Sequence, residues 1–329
     1  MSYASGGAGI LNSTVSDALH ASPIILELLH QETSKIYYVQ NAGNNIPLLK
    51  QVEYLDATRS KMVATVGSGA VRSRLARAFI LIGVAGNDLA AFYRSPAEQQ
   101  TDVAAFYGSL ISNYSAAITV RNELIYSTKL CKRKRSAFDC IPIYAELHIA
   151  FDILLITYRR IYNSMGGCRV CTRLARASSA SPTWGYLVGC LPVNRQVLSD
   201  AAAGACSDAR NQLGAGFNDA LRNMLADLAN RLPAGFRYSL GDASSLMVDT
   251  FADPQASAGF TDVADACCGG SRRVDCSPNS TICANRDQYY FWDAVHISQE
   301  AAKQRAQAFY DGPAKYTTPI SFKQLLWSA

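Results

Sequence analysis

The chain has 329 residues, 49% of them hydrophobic and 17% charged, with a formal net charge of +5. This balance excludes an intrinsically disordered chain, and the mostly dispersed basic residues indicate neither a nucleic acid nor an anionic membrane as a partner. We expect no membrane-spanning helix, because no uncharged apolar run looks long enough, and the start "MSYASGGAGIL" lacks the basic and apolar regions of a secretory signal.

The first half of the chain predicts two helices around one strand. Apolar residues recur at helical spacing from 46 to 63 and again from 101 to 119. Between them, residues 78–84 form an apolar run interrupted only by Gly83. This run predicts a strand buried on both faces, as in a parallel sheet that is covered by helices.

The second half continues the alternation of helices and strands. A long helix ending before Pro233 is predicted by an apolar stripe: Leu213, Phe217, Leu221, Met224 and Leu228. Residues 236–251 predict a strand, a turn and another helix, and Ser298 is a suitable N-cap for a last helix that ends at Gly312. The alternation predicts a three-layer α/β fold.

Cysteine usage indicates disulfides. Ten cysteines are present, and an even set of six occupies the last 140 residues: Cys190, Cys206, Cys267, Cys268, Cys276 and Cys283. No histidine lies among them at zinc-site spacing, so we expect disulfides in an oxidising compartment, with all fifteen pairings open. Asn-x-Ser/Thr sites at Asn12, Asn113 and Asn279 favour the same interpretation, although each alone is a weak signal. A secreted protein without its leader is expected.

Four separated blocks carry a family resemblance. They are "YASGGAGIL" at 3–11, "LIGVAGNDL" at 81–89, "GCLP" at 189–192 with "GFTDVADACCG" at 259–269, and "FWDAVHISQEA" at 291–301. In this order the chain resembles the plant-type GDSL esterase/lipase family, a branch of the SGNH hydrolases. The resemblance implies one extracellular domain with a doubly wound parallel sheet, catalytic groups at the carboxyl ends of the strands, and a small-molecule ester or lipid substrate. It implies no cofactor and no metal.

The resemblance also assigns candidate site residues. Asp293 would orient His296 as the general base, and Gly7, or Gly6 in a shifted alignment, would join Asn87 as an oxyanion donor. Taken alone, "SGGAG" is typical of a flexible turn and "GND" of a turn after a strand. Only the four blocks together favour the functional interpretation. One position departs from the family pattern, because Ile297 stands where a proline usually follows the histidine.

The resemblance implies a nucleophilic serine that no residue of this sequence matches. The family carries it in a Gly-Asp-Ser block on the first strand, upstream of "YASGGAG", and only Met1 and Ser2 precede that block here. We therefore expect the first strand and its serine to be missing. Ser244 in "GDAS" falls where the family has a non-catalytic strand-to-helix segment, and neither Ser2 nor Ser5 follows a strand-to-helix elbow.

Two segments fit neither the alternation nor the family pattern. Removing 15–40 and 120–159 restores ordinary family text on both sides, and Val15 and Gln40 have codons that match intron borders. We interpret both segments as retained introns, with a surface loop insertion as the alternative. On that interpretation "KLCKRKR" at 129–135 and the pair Cys131 and Cys140 carry no function. The strand expected before "GCLP" is not recognisable, and the CxxC at Cys168 and Cys171 is more simply accidental than redox-active or zinc-binding.

Three functional hypotheses follow from these patterns. The first is a serine ester hydrolase by descent, inactive as written. The second is a non-catalytic scaffold that binds ligands or partners, and the third is a gene fragment that does not fold, because a parallel sheet without a central strand exposes its edges. The substrate and the oligomeric state are not legible in the sequence.

The retained-intron hypothesis predicts the form of the mature message. RNA that spans residues 15–40 and 120–159 is expected to be spliced so that both segments are lost. Sequencing of messages across the two junctions measures this, and abundant message that keeps both segments would contradict the hypothesis.

Overall fold

The structure, a computed structural model, describes residues 2–3, 5–12, 14, 45–76, 78–95, 102–126, 178–182, 187–195, 205–232, 236–269 and 276–327. The first predicted insertion and most of the second lie outside the described residues. The same holds for the two pairs Cys131 and Cys140, and Cys168 and Cys171. The interpretation of these segments as insertions therefore stays a prediction.

The two helices predicted over 46–63 and 101–119 are confirmed, and two further helices are present in this half of the chain. Helices α1 (Leu48–Val66) and α2 (Ser68–Ala76) precede strand β1 (Phe79–Leu81), and α3 (Gly86–Arg94) and α4 (Val103–Tyr126) follow it. Strand β1 is shorter than the predicted run, and its side chains are half-buried rather than buried on both faces. Within the described residues β1 pairs on one edge only, with the next strand, so that it is a sheet edge and not a central strand.

The second half contains short strands between helices. Its elements are β2 (Ser178–Pro182), α5 (Pro192–Arg195), α6 (Asp208–Arg231), β3 (Arg237–Gly241), α7 (Ala243–Ala252), α8 (Pro254–Ala258), β4 (Asp262–Ala266), β5 (Tyr289–Phe291), α9 (Gln299–Asp311), β6 (Thr317–Thr318) and α10 (Phe322–Trp327). The predicted helices before Pro233 and after Ser298 are present as α6 and α9, and the predicted strand and helix over 236–251 are β3 and α7.

The strands form a mixed sheet and a separate pair. In the first sheet the order is β1-β2-β3-β6, with β1, β2 and β3 parallel and β6 antiparallel to β3. Strands β4 and β5 form a parallel pair of their own. The α/β class is thus confirmed, whereas the sheet described here is not purely parallel as predicted, because the chain turns back after α9 and pairs Thr317 with Gly241.

Strand β2 lies in the segment where no strand was recognisable. Its sequence is Ser-Ser-Ala-Ser-Pro, and it pairs with β1 on one side and with β3 on the other. Small polar residues have a low strand propensity, so this strand depends on its two neighbours and not on its own composition. Sequence pattern alone therefore missed it.

Helices pack against both faces of β3. Tyr238 and Leu240 contact a core that contains Tyr114 of α4 and Phe217 of α6. On the other face, a Cβ atom at Gly241 would lie 2.7 Å from ring carbons of Phe309 in α9. Glycine at position 241 therefore lets α9 approach the end of the strand closely.

Helix α4 is the one helix in the described part of the chain that is both long and apolar enough to be compared with a membrane span. Its segment Val103–Val120 has a mean hydropathy of 1.2, and by length and composition alone it could cross a membrane. This qualifies the expectation that no run is long and apolar enough. The same helix buries Leu110, Tyr114 and Ile118 in the core with α6, which is also how a core helix of a globular protein behaves.

Side-chain caps fix where the later helices begin. Ser298 Oγ accepts a hydrogen bond from Ala301 N at 3.1 Å, as predicted, and Asp242 Oδ1 accepts one from Ser245 N at 3.0 Å. Each bond satisfies a backbone donor that the first turn of a helix leaves without a partner. The ends of β3 and β5 are thereby connected to helices at defined positions.

The six C-terminal cysteines form three disulfides. The pairs are Cys190–Cys206, Cys267–Cys283 and Cys268–Cys276. The prediction that these residues are disulfide-bonded is confirmed, and the structure selects one pairing among the fifteen. Two of the bonds lie next to the segment that carries Asp293 and His296.

Candidate active site

A tight turn near the start of the chain presents Gly7. Ala8 N donates to Ser5 O at 3.1 Å, and Gly7 has a φ of 74° at the third position of this turn. That backbone conformation favours glycine, as in a type II turn. Asn45 Nδ2 donates to Gly7 O at 2.8 Å and holds the turn against the start of α1. Among the described residues no acceptor is hydrogen-bonded to the N–H of Gly7.

The residues after this turn are held by the carboxylate of Asp88. Ile10 N donates to Asp88 Oδ2 at 2.8 Å, Leu11 N donates to Asp88 Oδ1 at 3.0 Å, and the hydroxyl of Thr14 donates to the same Oδ1. Asp88 is 1% exposed. Burial raises the pKa of its carboxyl, and the hydrogen bonds from the three donors oppose that shift.

Gly9 lets the carboxylate approach the backbone. A Cβ atom at position 9 would lie 2.4 Å from Asp88 Oδ1, which no side chain could tolerate without displacement of the carboxylate. The last glycine of "SGGAG" is therefore required by close packing, whereas Gly7 is favoured by its backbone conformation.

Asn87 is brought to the Gly7 turn by the start of α3. Its Nδ2 donates to Ala8 O at 2.8 Å, which leaves the second N–H of the amide for another acceptor. The residue before the helix, Ala85, has a φ of 94°, which is rare for a residue with a side chain. A left-handed backbone conformation of this kind costs about 1–3 kcal/mol and is concentrated at functional sites. The structure thus brings Asn87 to the residue that follows Gly7, and the assignment of both as oxyanion donors stays a prediction.

Asp293 and His296 face each other across the loop between β5 and α9. His296 Nδ1 lies 2.8 Å from Asp293 Oδ2 and 3.0 Å from Asp293 Oδ1. Asp293 Oδ1 also accepts from Val295 N at 2.9 Å and from His296 N at 2.7 Å. A neutral imidazole that donates from Nδ1 has a lone pair on Nε2, which can accept a proton.

The loop is closed like a hairpin. Ser298 N donates to Tyr290 O and Trp292 N donates to His296 O, both at 2.8 Å. These bonds flank a bridge between Phe291 and Ile297, in which the N–H of Ile297 is not used. A proline, which has no N–H, would therefore remove no hydrogen bond of this ladder, and the departure at Ile297 leaves the geometry of the pair intact.

Asp293 and His296 each stabilise the charged form of the other. The hydrogen bond that His296 Nδ1–H donates to the Asp293 carboxylate raises the pKa of His296 above its ordinary value, and partial burial opposes this rise. Burial also acts to raise the pKa of Asp293, but the hydrogen bond and charge of His296 together with two backbone N–H groups outweigh it, so that the pKa falls below its ordinary value. The His296 side chain is 72% exposed, and solvent screens the interaction.

Two disulfides brace the strand that leads into this loop. Cys267 N donates to Phe291 O at 3.1 Å, and Cys268 N donates to Trp292 O at 2.7 Å. The same two cysteines are bonded to Cys283 and Cys276, so that the described residues 267–269 and 276–283 form the two arms of a cross-linked hairpin beside the loop. The base side of the site is therefore stabilised by covalent bonds.

The residues directly after the "GCLP" block connect the loop of Asp293 to helix α3. Val193 N donates to Ala294 O at 3.1 Å, next to Asp293. The neighbouring Asn194 accepts a hydrogen bond from the guanidinium of Arg210, whose central carbon lies 4.1 Å from the ring centroid of Tyr93 in α3. Since α3 also carries Asn87, these contacts connect the loop of Asp293 and His296 to the helix that carries Asn87, although no direct contact between the two is described.

No described serine contacts the base. The only hydrogen-bond partner of the His296 ring within the described ranges is Asp293. Ser5 Oγ accepts from Ile46 N at 3.0 Å, and Ser244 Oγ accepts from Asn218 Nδ2 at 3.3 Å, so both have structural partners elsewhere. Among the described residues, no three histidine, cysteine, aspartate or glutamate side chains lie close enough to hold a metal ion. That the site needs no metal stays a prediction.

Sequence reasoning missed the importance of Asp88 and Arg210. The sequence signal for Asp88 is its place in "GND", directly after Asn87 and shortly after the apolar run of residues 78–84. The partners of Arg210 lie on other elements, so no local signal indicated them.

Comparisons with known proteins identify the family of the chain. Residues 1–309 match the family model of the GDSL-like Lipase/Acylhydrolase. The Arabidopsis thaliana protein GDSL esterase/lipase At1g71250 is 35% identical over 141 residues, which are 42% of this chain and 37% of that protein. Two further Arabidopsis thaliana proteins match most of the chain. GDSL esterase/lipase At1g71691 is 26% identical over 87% of this chain and 62% of its own length, and GDSL esterase/lipase LTL1 is 24% identical over 97% and 68%. The chain thus spans between about two fifths and two thirds of the relatives that it matches.

Replacing the buried carboxylate tests its role as the anchor of the Gly7 turn. We expect Asp88→Ala to lower the free energy of unfolding by about 1–3 kcal/mol or more, because it leaves buried backbone donors without acceptors. Asp219→Ala is the control, since Asp219 forms an exposed ion pair with Arg222 and should contribute little. Urea titration measures both, and equal losses would contradict the assignment.

The pH dependence and a double mutant sharpen this test. Because the folded pKa of Asp88 is raised, its contribution to stability is complete below the unfolded pKa and declines as pH rises through the folded pKa. The difference in the free energy of unfolding between the wild type and Asp88→Ala should therefore shrink with rising pH.

A double mutant tests the close contact at Gly9. Gly9→Ala should lower the free energy of unfolding less in the Asp88→Ala background than alone, since its close contact with Oδ1 is then absent.

A second substitution tests the coupling of the base and its carboxylate. We expect Asp293→Asn to lower the pKa of His296, since the raised pKa depends first on the bond to Asp293. The pair should stabilise the fold between about pH 4 and 6.5, because a lowered carboxyl pKa loses its contribution as pH falls and a raised imidazole pKa loses it as pH rises. NMR titration of the imidazole signals measures the shift, with Asp287→Asn as the control. An unchanged His296 pKa would contradict the coupling.

Proposed function

Since the chain belongs to the GDSL-like lipase/acylhydrolase family, we propose that it is a hydrolase of carboxylic esters in which His296 is the general base. The observation that carries this proposal is the Asp293–His296 pair, in which one imidazole nitrogen is bound to the carboxylate and the other is open. Asp293 orients the ring and stabilises the imidazolium that forms after proton transfer.

The proposed reaction is acyl transfer through a serine. His296 Nε2 takes the proton of the serine hydroxyl as the oxygen attacks the ester carbonyl, and it then returns the proton to the departing alcohol. Water attacks the acyl-enzyme in the same way and releases the acid. The N–H of Gly7 and the free N–H of the Asn87 amide are proposed as donors to the tetrahedral oxyanion, with Gly6 as the alternative in a shifted alignment. Removal of one such donor typically costs about 10²–10³ in kcat.

We propose that the 329 residues do not include this serine, so that the chain as written is inactive. Ser5 and Ser244 are engaged elsewhere, and the His296 ring has no described serine within hydrogen-bonding distance. The mechanism uses side chains and backbone donors alone and calls for no cofactor.

Other features of the proposal concern the fold and the location. Helices on both faces of β3 and three parallel strands are in keeping with a three-layer doubly wound domain. Three disulfides favour an oxidising, extracellular compartment. A small acyl or lipid ester is proposed as the substrate, by analogy with relatives that are named esterase/lipase.

The exposure of the base favours one alternative function. A His296 side chain that is 72% exposed, and that has no nucleophile beside it in the described residues, would suit a scaffold that binds esters without cleaving them. Such a protein would bind an acyl ligand and give no turnover.

Ester hydrolysis by the 329-residue chain tests the proposal. We expect 4-nitrophenyl acetate to be hydrolysed no faster than in buffer, and a fluorophosphonate probe to label no serine, because the activated nucleophile is absent. A cooperative thermal melt establishes that the protein used is folded. Saturable turnover that is abolished by His296→Ala would contradict the missing nucleophile, and mass spectrometry of the labelled peptide would identify the serine.

The hydrolase function is tested by supplying the serine. The chain extended at its start with the Gly-Asp-Ser segment of an esterase/lipase relative is expected to hydrolyse the same ester and to take the probe. Asp293→Asn should then lower kcat by roughly 10⁴, as in other triads, whereas Asp287→Asn should not. A folded, extended chain that binds an acyl ligand without turnover would favour the binding scaffold instead.

A further inference from the structure

An exposed turn carries one of the three Asn-x-Ser/Thr sites. Ser280 N donates to Ser277 O at 3.0 Å, which closes a four-residue turn with Pro278 and Asn279 at its two central positions. Ser277 N also donates to Ser280 Oγ at 2.9 Å. Ser277, Pro278 and Asn279 are all exposed. The turn is therefore well defined, and Asn279 lies at its tip.

The side chain of Asn279 has no role in the described fold. It makes no hydrogen bond to the described residues, and the backbone of Thr281, two positions later, is fixed because Gly269 N donates to Thr281 O at 2.8 Å. The Thr281 side chain is exposed as well. The side chains of Asn279 and Thr281, the first and third residues of the site, are thus both exposed to solvent.

The other two sites are engaged in the fold. Asn113 lies inside α4, where its Nδ2 donates to Ser109 O at 2.9 Å, and the middle residue of its site, Tyr114, is 1% exposed. At Asn12 the third residue, Thr14, donates its hydroxyl to the buried Asp88. A bulky group at Asn113 would disturb a packed helix, and one at Asn12 would lie beside the Gly7 turn.

From these differences we infer that Asn279 is an N-glycosylation site and the preferred acceptor among the three. In the reaction, the Asn279 Nδ2 attacks the anomeric carbon of an oligosaccharide that is linked to a polyprenyl diphosphate. The new C–N bond replaces the C–O bond to the diphosphate, Nδ2 loses one proton, and the polyprenyl diphosphate leaves. The hydroxyl of Thr281 is the element that defines the acceptor site.

Disulfides on both sides of Asn279 fix the segment that would carry the glycan. Asn279 lies between Cys276 and Cys283, whose disulfides to Cys268 and Cys267 hold the hairpin beside the base loop. Ile282, three residues on, is 43% exposed. A glycan on this turn would therefore lie on a segment that disulfides hold in place, close in the chain to an exposed apolar side chain.

Glycan mapping of the secreted chain tests the site. The 329-residue chain is fused to a secretory leader in a eukaryotic host, and the product is treated with peptide-N-glycosidase in heavy-oxygen water. We expect the isotopic mark of deglycosylation at Asn279 with higher occupancy than at Asn12, and none at Asn113. Asn279→Gln and Thr281→Ala should each abolish the Asn279 glycan, and Asn113→Gln should leave the electrophoretic shift unchanged.

The outcomes separate this inference from the proposed hydrolase. Thr281→Ala leaves Asn279 and the backbone bond of residue 281 in place, so that loss of the glycan in a normally secreted variant would report on the site and not on misfolding. An unmarked Asn279 in the secreted protein, or higher occupancy at Asn12 or Asn113, would overturn the inference. The readout is a mass and is independent of ester hydrolysis.

Discussion

The buried carboxylate of Asp88 is the interaction on which the oxyanion side of the site depends. It accepts three hydrogen bonds from residues 10–14 and thereby holds the first segment of the chain against a helix more than 70 positions later. An unpaired buried charge would be strongly destabilising, so this arrangement survives only with its donors in place. Asn87 precedes Asp88 by one residue, and the same contact that stabilises the fold also fixes where the proposed oxyanion donors lie. Stability and function are coupled at adjacent positions.

The base side is built by a different kind of bond. A closed loop on β5 orients Asp293 and His296, and two disulfides hold the neighbouring hairpin against that strand. The "GCLP" block joins this side to helix α3 through Asn194 and Arg210. The site thus consists of two parts, the Gly7 turn with Asn87 and the loop of Asp293 and His296, each held by its own bonds and joined through this connection. Neither part depends on a nucleophile for its geometry, so the Asp293–His296 pair and the Gly7 turn are both formed in the described residues, where no serine is hydrogen-bonded to the His296 ring.

The sequence predicted what local chemistry determines. Apolar periodicity identified α1, α4 and α6, and Ser298 marked the start of α9, because helices and caps depend on residues close together in the chain. The Asp293–His296 pair was predictable for the same reason, since three positions separate its members. Strand β2 was not, because its Ser-Ala composition becomes a strand only between β1 and β3. The antiparallel β6, the pairing of the cysteines and the partners of Asp88 likewise join distant residues, and no pattern within a short window encodes them.

The loop that carries His296 bears on how strictly the family pattern around this histidine is defined. Its ladder uses the N–H groups of Trp292 and Ser298 and leaves out that of Ile297, which packs instead with Phe291 and its neighbours. In this chain the position contributes apolar packing, and its N–H is not needed by the ladder. A signature that demands the proline would therefore exclude this chain although the geometry of its Asp293–His296 pair is intact.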